Sequence, residues 1–236
     1  MPSPTAEQPE QIRELFNRIA PHYDDLNQKL SLGLHQVWKQ MTVRWAHLPR
    51  GGRALDLCCG SGDLALLLAR RAGRQGHVIG LDFSPAMLSM ARSRSRRLLP
   101  KYSLEWVLGD ALALPFADYS FDGITMGYGL RNVIDIPRAL GEMKRVLKPG
   151  CRAAILDFHR PTDPLLEQFQ RWYLQTQVVS QAKALGLAED YAYIDPSLDR
   201  FPCGAEQKQL ALAAGFERVT FFPLMGGMMG VLVMQK

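Results

Sequence analysis

The sequence predicts an α/β fold, a doubly wound and mostly parallel sheet of seven strands that closes with an antiparallel last strand. Three observations predict it. Apolar runs at 53–59, 77–83, 103–108, 121–127 and 152–158 read as buried strands, and helical patterns at 63–72, 85–98 and 136–147 fall between most of them. The first run breaks into a glycine loop, Cys58-Cys59-Gly60-Ser61-Gly62-Asp63, from which a helix starts at once. Two further runs, at 216–222 and 231–234, flank a Gly/Met turn, and so tight a connection implies antiparallel pairing at the sheet edge.

Taken in order, the chain opens with a Pro-rich polar stretch and a helix at 8–20, whose Ile12, Leu15, Phe16 and Ile19 share one face. Pro21 ends it, and His22-Tyr23-Asp24-Asp25 forms a polar turn bearing an aromatic. A second helix carries Leu26, Leu30, Leu34, Val37, Trp38, Met41 and Trp45 towards Pro49. Both precede the winding, so residues 1–50 are expected to be a helical cap on a main domain at 51–236. Ser84 and Pro85 supply an N-cap and first-turn proline for the helix at 85–98, and Lys148-Pro149-Gly150 stops the one at 136–147. Residues 160–200 break the rhythm. Leu165, Leu166, Phe169, Trp172, Tyr173 and Val179 make a long amphipathic helix, followed by Tyr191, Tyr193 and Pro-containing turns. This is expected to be an insertion covering the carboxyl edge of the sheet. A helix at 204–214 leads into the terminal hairpin.

Composition narrows the function classes. At 236 residues the chain is one domain with room for insertions. A net charge of +5 invites a nucleic-acid reading, but its dense cluster, Arg92, Arg94, Arg96, Arg97 and Lys101, ends an amphipathic helix with no aromatics interleaved. That cluster reads as a solvated face or a weak attraction to anionic lipid, and no nucleic-acid partner is expected. A nucleic-acid-binding protein stays as the alternative of a different class. Cys58, Cys59, Cys151 and Cys203 show no paired C-x-x-C spacing and no disulfide framework, and Cys58 and Cys59, where the first strand is expected to be buried, read as small hydrophobes in a reducing compartment. No secretory signal or membrane-spanning run is evident, so a cytoplasmic protein, soluble or peripheral to a membrane, is expected. No cluster has metal-ligand spacing, and no metal is expected.

The glycine loop leaves two nucleotide-type cofactors open. Gly60-x-Gly62-x-x-Ala65, with Asp82 downstream, fits a dinucleotide fingerprint. Asp56, Asp82 and Asp110 mark successive strands, and strand ends on one edge converge on the ligand crevice. Asp82, beside Phe83, is placed to accept both ribose hydroxyls, and Asp110, followed by Ala111, lies near an adenine amine. Asp56 and Asp63 put negative charge by the loop, which repels a pyrophosphate and suits a cation. S-adenosylmethionine, whose sulfonium is positive, is therefore favoured over NAD, with Asp56, Gly60, Ser61, Gly62, Asp82, Phe83, Asp110 and Ala111 as its expected contacts.

Leu55-Asp56-Leu57…Gly60-Ser61-Gly62-Asp63, Gly80-Leu81-Asp82, Gly109-Asp110-Ala111…Leu114-Pro115-Phe116 and Arg145-Val146-Leu147-Lys148-Pro149-Gly150 resemble the class I S-adenosylmethionine-dependent methyltransferases, which are Rossmann-like. Three further marks narrow this: Tyr23-Asp24-Asp25-Leu26-Asn27…Ser31…His35…Trp38, then Gly129-Leu130-Arg131-Asn132-Val133, then Tyr191-x-Tyr193…Ser197…Phe201-Pro202. They resemble the C-methyltransferases of ubiquinone, menaquinone and phylloquinone biosynthesis. Cys151, Asp157 and His159 stand where that family usually has Gly, Glu and Ser, and the turn at 224–231 lacks the usual His-bearing ending. The departures in that turn and at His159 resemble the cyanobacterial and plant branch, which acts on a phytylated or related demethylnaphthoquinone. Demethylmenaquinone and a ubiquinone-type benzoquinol remain open.

The resemblance implies methylation of a ring carbon on a reduced, prenylated quinol. A neighbouring hydroxyl must lose its proton to push charge onto that carbon. Arg131 is expected to stabilise the phenolate or polarise a water, unless it merely pairs with Asp135 or another surface acid. Asn132 would orient the quinol oxygen, Gly127 would offer backbone to the cofactor, and Tyr23 would close over its methionine part. His22, His35 and His159 are the base candidates, with His35 on the cap the first choice. The methionines at 225–229 and the aromatics at 169–173 are expected to be core or lid packing, or else a tunnel for an isoprenoid tail. A substrate with such a tail lives in the membrane, so peripheral docking through the cap and the 163–185 helix is expected, with a homodimer left open.

Overall fold

A computed structural model describes residues 7–24, 28, 31, 33–183, 186–187 and 191–236. Leu26, Leu30 and the Asp25-Leu26-Asn27 part of the first quinone-family mark lie outside the described residues. The 7-stranded sheet contains β1 (Arg53–Leu57), β2 (His77–Asp82), β3 (Ser103–Leu108), β4 (Phe121–Gly127), β5 (Leu147–Phe158), β6 (Arg218–Leu224) and β7 (Met229–Gln235). Their order is β3-β2-β1-β4-β5-β7-β6. β1 to β5 are parallel, and β7 runs antiparallel to both β5 and β6. The order reverses between β1 and β4, which is the switch point where such sheets open a crevice at their carboxyl ends. The expected architecture is what the chain adopts.

The helices follow from their end signals. α1 is Glu7–Ile19, α2 Leu34–Trp45, α3 Asp63–Ala72, α4 Pro85–Leu98, α5 Ile136–Val146 and α6 Pro164–Tyr173. α7 (Val179–Lys183), α8 (Ile194–Arg200) and α9 (Gly204–Ala213) follow among the described residues. Ser84 caps α4 by accepting the Met87 N–H at 3.2 Å, with Pro85 in the first turn. Asp135 caps α5 through the Arg138 N–H at 3.0 Å, so it is a helix cap and not an arginine partner. β1 ends at Leu57, earlier than its apolar letters suggest, because Cys58 turns to φ 53°. α6 passes into α7 through a π turn at Leu174–Val178.

Two apolar layers sandwich the sheet. Leu55, Leu57, Ile79, Leu81, Ile124 and Met126 pack with Leu140 and Met143 of α5 on one face. Val78 packs with Leu64, Leu68, Leu88 and Trp106 on the other. Each fully buried side chain of this kind contributes about 1.5–3 kcal/mol. A third, smaller core joins the cap to the insertion: Leu15 and Ile19 of α1 meet Met87, Leu174, Val178, Tyr191 and Leu198. No helix among the described residues is long and apolar enough to cross a membrane.

Candidate active site

Two adjoining cavities occupy the crevice at the carboxyl end of the sheet. The first, about 350 Å³, is floored by strand ends and loops and roofed by α1. Tyr23, Gly60, Asp82, Phe83, Asp110, Ala111, Gly127 and Asn132 line it. Eight of the expected site residues thus meet in one place.

Asp82 closes β2 and is 5% exposed. Its carboxylate accepts the Gly60 N–H at 2.8 Å and the Ser84 N–H at 2.9 Å, which ties the glycine loop to the start of α4. Burial pushes this carboxyl up to about 6, against the pull of those N–H groups. Gly60 has φ 53°, and a Cβ built there would meet only Tyr23, at 3.9 Å. Bare backbone therefore borders the cavity where a ligand has to approach closely. Asp110 accepts the Leu112 N–H at 2.9 Å, which fixes the turn after β3.

The charges fit a cationic nucleoside. Asp82, Asp110 and Glu10 face the cavity, and its one lining cation, Arg13, is ion-paired with Glu10. Nothing among the lining residues would neutralise a pyrophosphate, whereas a sulfonium and ribose hydroxyls match the carboxylates and the bare backbone. Asp82 is the residue that would hold the ribose, Asp110 and Ala111 the base, and Gly60, Gly127 and Tyr23 the amino-acid portion.

Three expected cofactor contacts are placed elsewhere. Asp56 points away from the crevice: it is 1% exposed, accepts the Ala65 N–H at 2.9 Å and the Thr125 hydroxyl at 2.8 Å, and lines neither cavity. It staples β1 to β4 and to the first turn of α3. Burial raises its carboxyl to about 7. Ser61 donates to Asp24 at 2.6 Å and accepts from Arg94 at 2.8 Å. Gly62, at φ 89°, is a packing glycine, since a Cβ there would lie 2.6 Å from the Trp106 ring.

Asp63 also departs from expectation. It takes Lys39 and Arg94, each at 2.6 Å, and although burial works to raise it, these cations hold it down to about 2. Its charge is thus spent on two partners, and the preference for a cation comes from Asp82, Asp110 and Glu10 instead. Arg94 leaves the solvated face expected for its cluster: it also bridges to Asp24 at 3.1 Å, while Arg92, Arg96, Arg97 and Lys101 remain exposed. The resulting latch fastens the cap to the glycine loop.

The second cavity, about 270 Å³, has Phe16, Tyr23 and Tyr128 in common with the first. Three remote segments wall it: Leu15, His35 and Trp38 from the cap, Phe169, Tyr173 and Tyr193 from the insertion, and Met225, Met228 and Met229 from the last turn. The methionines and aromatics thus line a cavity. Phe169 and Trp172 do not enter a core, being 49% and 52% exposed.

One polar cluster of this apolar chamber is built around Arg131. Arg131 lines it, its side chain 7% exposed, and pairs with the fully buried Asp157 at 2.5 Å. The same nitrogen, Nη1, donates to the Tyr128 carbonyl at 3.0 Å, and the guanidinium sits over the Phe158 ring at 5.3 Å. Burial opposes its charge, but Asp157 outweighs that and keeps Arg131 cationic. The Asn132 amide donates to the same Tyr128 carbonyl at 3.3 Å, and its oxygen accepts the Tyr193 hydroxyl, so the insertion is fastened to the Leu130–Asn132 turn. Tyr128 holds these contacts at φ 60°, a rare conformation for an aromatic residue.

His35 lines the same cavity, with Nδ1 2.6 Å from the Ser31 hydroxyl. Burial, and then nearby Lys39, lower its basicity below the ordinary 6.5, so the ring is neutral at pH 7. The other base candidates are not in the cavities. His159 is 4% exposed between the Phe201 and Phe221 rings, and burial depresses it to about 4. His22 is half-buried on a 3-10 turn. Sequence reasoning missed Lys39, Arg94, Asp157 and Tyr128 as members of the site. The pairing of Lys39 with Asp63 over 24 residues left no local signal, but the Asp157 departure within the last parallel strand was one.

Comparison with known proteins gives a consistent result. Residues 5–236 match the ubiE/COQ5 methyltransferase family. The chain is 58% identical over 226 residues to a 2-phytyl-1,4-naphthoquinone methyltransferase of Nostoc punctiforme, covering 96% of this chain and 98% of that one. It is 59% identical to the protein of the same name from Thermosynechococcus vestitus, covering 95% and 99%. The chloroplastic 2-phytyl-1,4-beta-naphthoquinone methyltransferase of Arabidopsis thaliana is 48% identical, with coverage of 95% and 87%. Among solved structures, a SAM-dependent methyltransferase from Aquifex aeolicus has the same fold at TM-score 0.64 and 17% identity, over 89% of this chain and 96% of that one. The chain belongs to the ubiE/COQ5 methyltransferase family and is an S-adenosylmethionine-dependent methyltransferase.

Proposed function

We propose that the chain methylates a ring carbon of a reduced demethylnaphthoquinone bearing a phytyl or related prenyl tail, the final methylation of phylloquinone or menaquinone biosynthesis. One observation carries this reading: an acid-lined cavity suited to a cationic nucleoside opens beside an apolar chamber lined by the buried cation Arg131 and by His35. The naphthoquinone named for the relatives is a flat apolar ring with two oxygens, which matches that chamber.

The bound cofactor supplies a methyl carbon already activated by its sulfonium. The chain does the rest. Arg131 offers a fixed positive charge where a hydroxyl becomes a phenolate, and buried in a dry chamber such a charge acts more strongly than in water. Asn132, which lines the adjoining cofactor cavity and is pinned by Tyr193, orients the same oxygen from that side. His35 is the base: with its Nδ1–H donated to Ser31, Nε2 keeps a lone pair to take the hydroxyl proton. The aromatic and methionine walls exclude water and hold the ring.

Residues 1–50 act as the cap and 160–200 as the substrate cover in this reading. Leu34, Phe169 and Met225 line the second cavity and are also 42%, 49% and 47% exposed, so they mark its mouth. Leu165, Trp172 and Val37 extend this exposed apolar surface at 77%, 52% and 52%. Apolar residues around a tail-binding mouth support peripheral docking on a bilayer.

Turnover of demethylnaphthoquinols against benzoquinols with labelled methyl donor tests the substrate. Preference for the benzoquinol would replace the ring named here. Flotation with liposomes tests docking, and absence of binding with and without anionic lipid would remove it.

A further inference from the structure

We infer that Asp157 is a positioning residue that sets the Arg131 guanidinium towards the quinol oxygen, an inference that rests on the function proposed above. Asp157 lies near the end of β5 and is 1% exposed. Both of its oxygens are committed. Oδ1 accepts Nη1 of Arg131 at 2.5 Å and the Phe158 N–H at 2.8 Å, and Oδ2 accepts the backbone N–H of Arg131 at 3.1 Å. One carboxylate therefore holds both the backbone and the side chain of the same arginine. With Nη1 also on the Tyr128 carbonyl and the Phe158 ring beneath, the guanidinium plane has little freedom to turn.

The protein does not use all of this arginine. Nε is buried and has no hydrogen-bond partner among the described residues. A structural ion pair in a dry interior would be expected to satisfy such a donor, since a buried N–H without an acceptor is costly. Asp157 takes Nη1 and leaves Nη2, which donates to none of the described residues, as the open donor of a cation that borders an apolar chamber. The chemistry that fits is an anionic oxygen on a flat ring, brought in by the ligand. Asp157 touches neither cavity, so its influence on the reaction passes through Arg131.

The test uses the full chain with a demethylnaphthoquinol and follows kcat, KM, S-adenosylhomocysteine affinity and the pH profile of kcat. Asp157→Asn keeps the shape and removes the charge. It is expected to lower kcat roughly 100-fold, the scale of an ångström-sized misplacement, with S-adenosylhomocysteine affinity and quinol KM nearly unchanged. A poorly held cation stabilises the phenolate less, so alkaline pH is expected to restore part of the loss. A fall in kcat with an unchanged pH profile would mean a merely structural role and overturn the inference, as would wild-type kcat. Where Asp157→Asn does not fold, Asp157→Glu decides. It keeps the charge on a longer arm, and it is expected to bind S-adenosylhomocysteine normally while kcat falls and its pH profile moves. A Glu variant identical to wild type in both would overturn the role. Wild-type enzyme inactive on every quinol would instead defeat the proposed function, and that result is read separately.

Discussion

The two cavities are built in different ways. The first stands on strand ends: Asp82 and Gly127 are fixed by sheet registers, Asp110 by the turn that follows β3, and the Gly60 and Ser84 N–H groups lock Asp82 in place. The second is assembled from a cap, an insertion and a terminal turn, joined through a small core and a few side-chain bonds such as Tyr193 to Asn132. A polar nucleoside needs donors and acceptors at defined points, which a parallel sheet edge supplies. A long apolar tail needs volume and pliancy, which methionines and loosely tethered helices supply. The polar end of the second chamber at Arg131 returns to the rigid scaffold, and His35 reaches the same chamber from the cap.

The sharpest way to break this division is at Arg131. Arg131→Lys keeps the charge and loses the fork, and it is expected to cut kcat by about 10²–10³ while thermal stabilisation by S-adenosylhomocysteine stays intact. Loss of that stabilisation would show that the chambers are not separable.

Asp56 comes next. Asp56→Ala orphans the Ala65 N–H and the Thr125 hydroxyl, at about 1–3 kcal/mol each, and denaturant unfolding is expected to show the loss without a specific loss of cofactor affinity. Its folded-state carboxyl, at about 7, lies above the ordinary 3.8, so the folded chain keeps a proton that the unfolded chain releases. This contribution is full below about pH 4 and lost as pH rises through about 7, and Asp56→Asn is expected to flatten that slope.

Asp82 sharpens the polar side of the comparison. Ribose hydroxyls donate to an ionised carboxylate, and Asp82 titrates at about 6. The Kd for S-adenosylhomocysteine is therefore expected to rise about tenfold per pH unit below about 6 by calorimetry. Asp82→Asn is expected to weaken binding and remove the pH dependence, and a wild-type Kd that is flat with pH would show that the ribose is held elsewhere.

The smallest effect belongs to the mouth of the apolar chamber. Trp172→Ser is expected to raise KM for a quinol embedded in vesicles a few-fold, and to leave kcat on a detergent-solubilised quinol unchanged. An equal change in both assays would make Trp172 a packing residue.

What could be read from the letters follows the same division. Asp82 and Asp110 were legible because strand period and strand end fix their place at the crevice. Ser61 and Gly62 follow the turn at Cys58, φ 53°, after which spacing does not say which way a side chain points, and Asp56 sits inside β1, where its partners Thr125 and Ala65 lie on other elements. Arg94 read as surface because its partners, Asp24 and Asp63, lie on other elements. His159 read as a base candidate because a lone histidine past a strand end carries no mark of the Phe201 and Phe221 rings that enclose it. The second chamber drew on segments more than a hundred residues apart, and its outline was legible only as leftover aromatics and methionines.

Phe16 and Tyr23 wall both chambers, with their rings 6.4 Å apart, and Asp24 next to them is fastened to Ser61 and Arg94. A wall shared by two rooms cannot be moved for one tenant without unsettling the other. Traffic is therefore expected to be sequential: the nucleoside arrives first and completes the room for the quinol, and the spent nucleoside departs last. S-adenosylhomocysteine should then compete with the methyl donor alone, and competition with the quinol as well would show that the doors are separate.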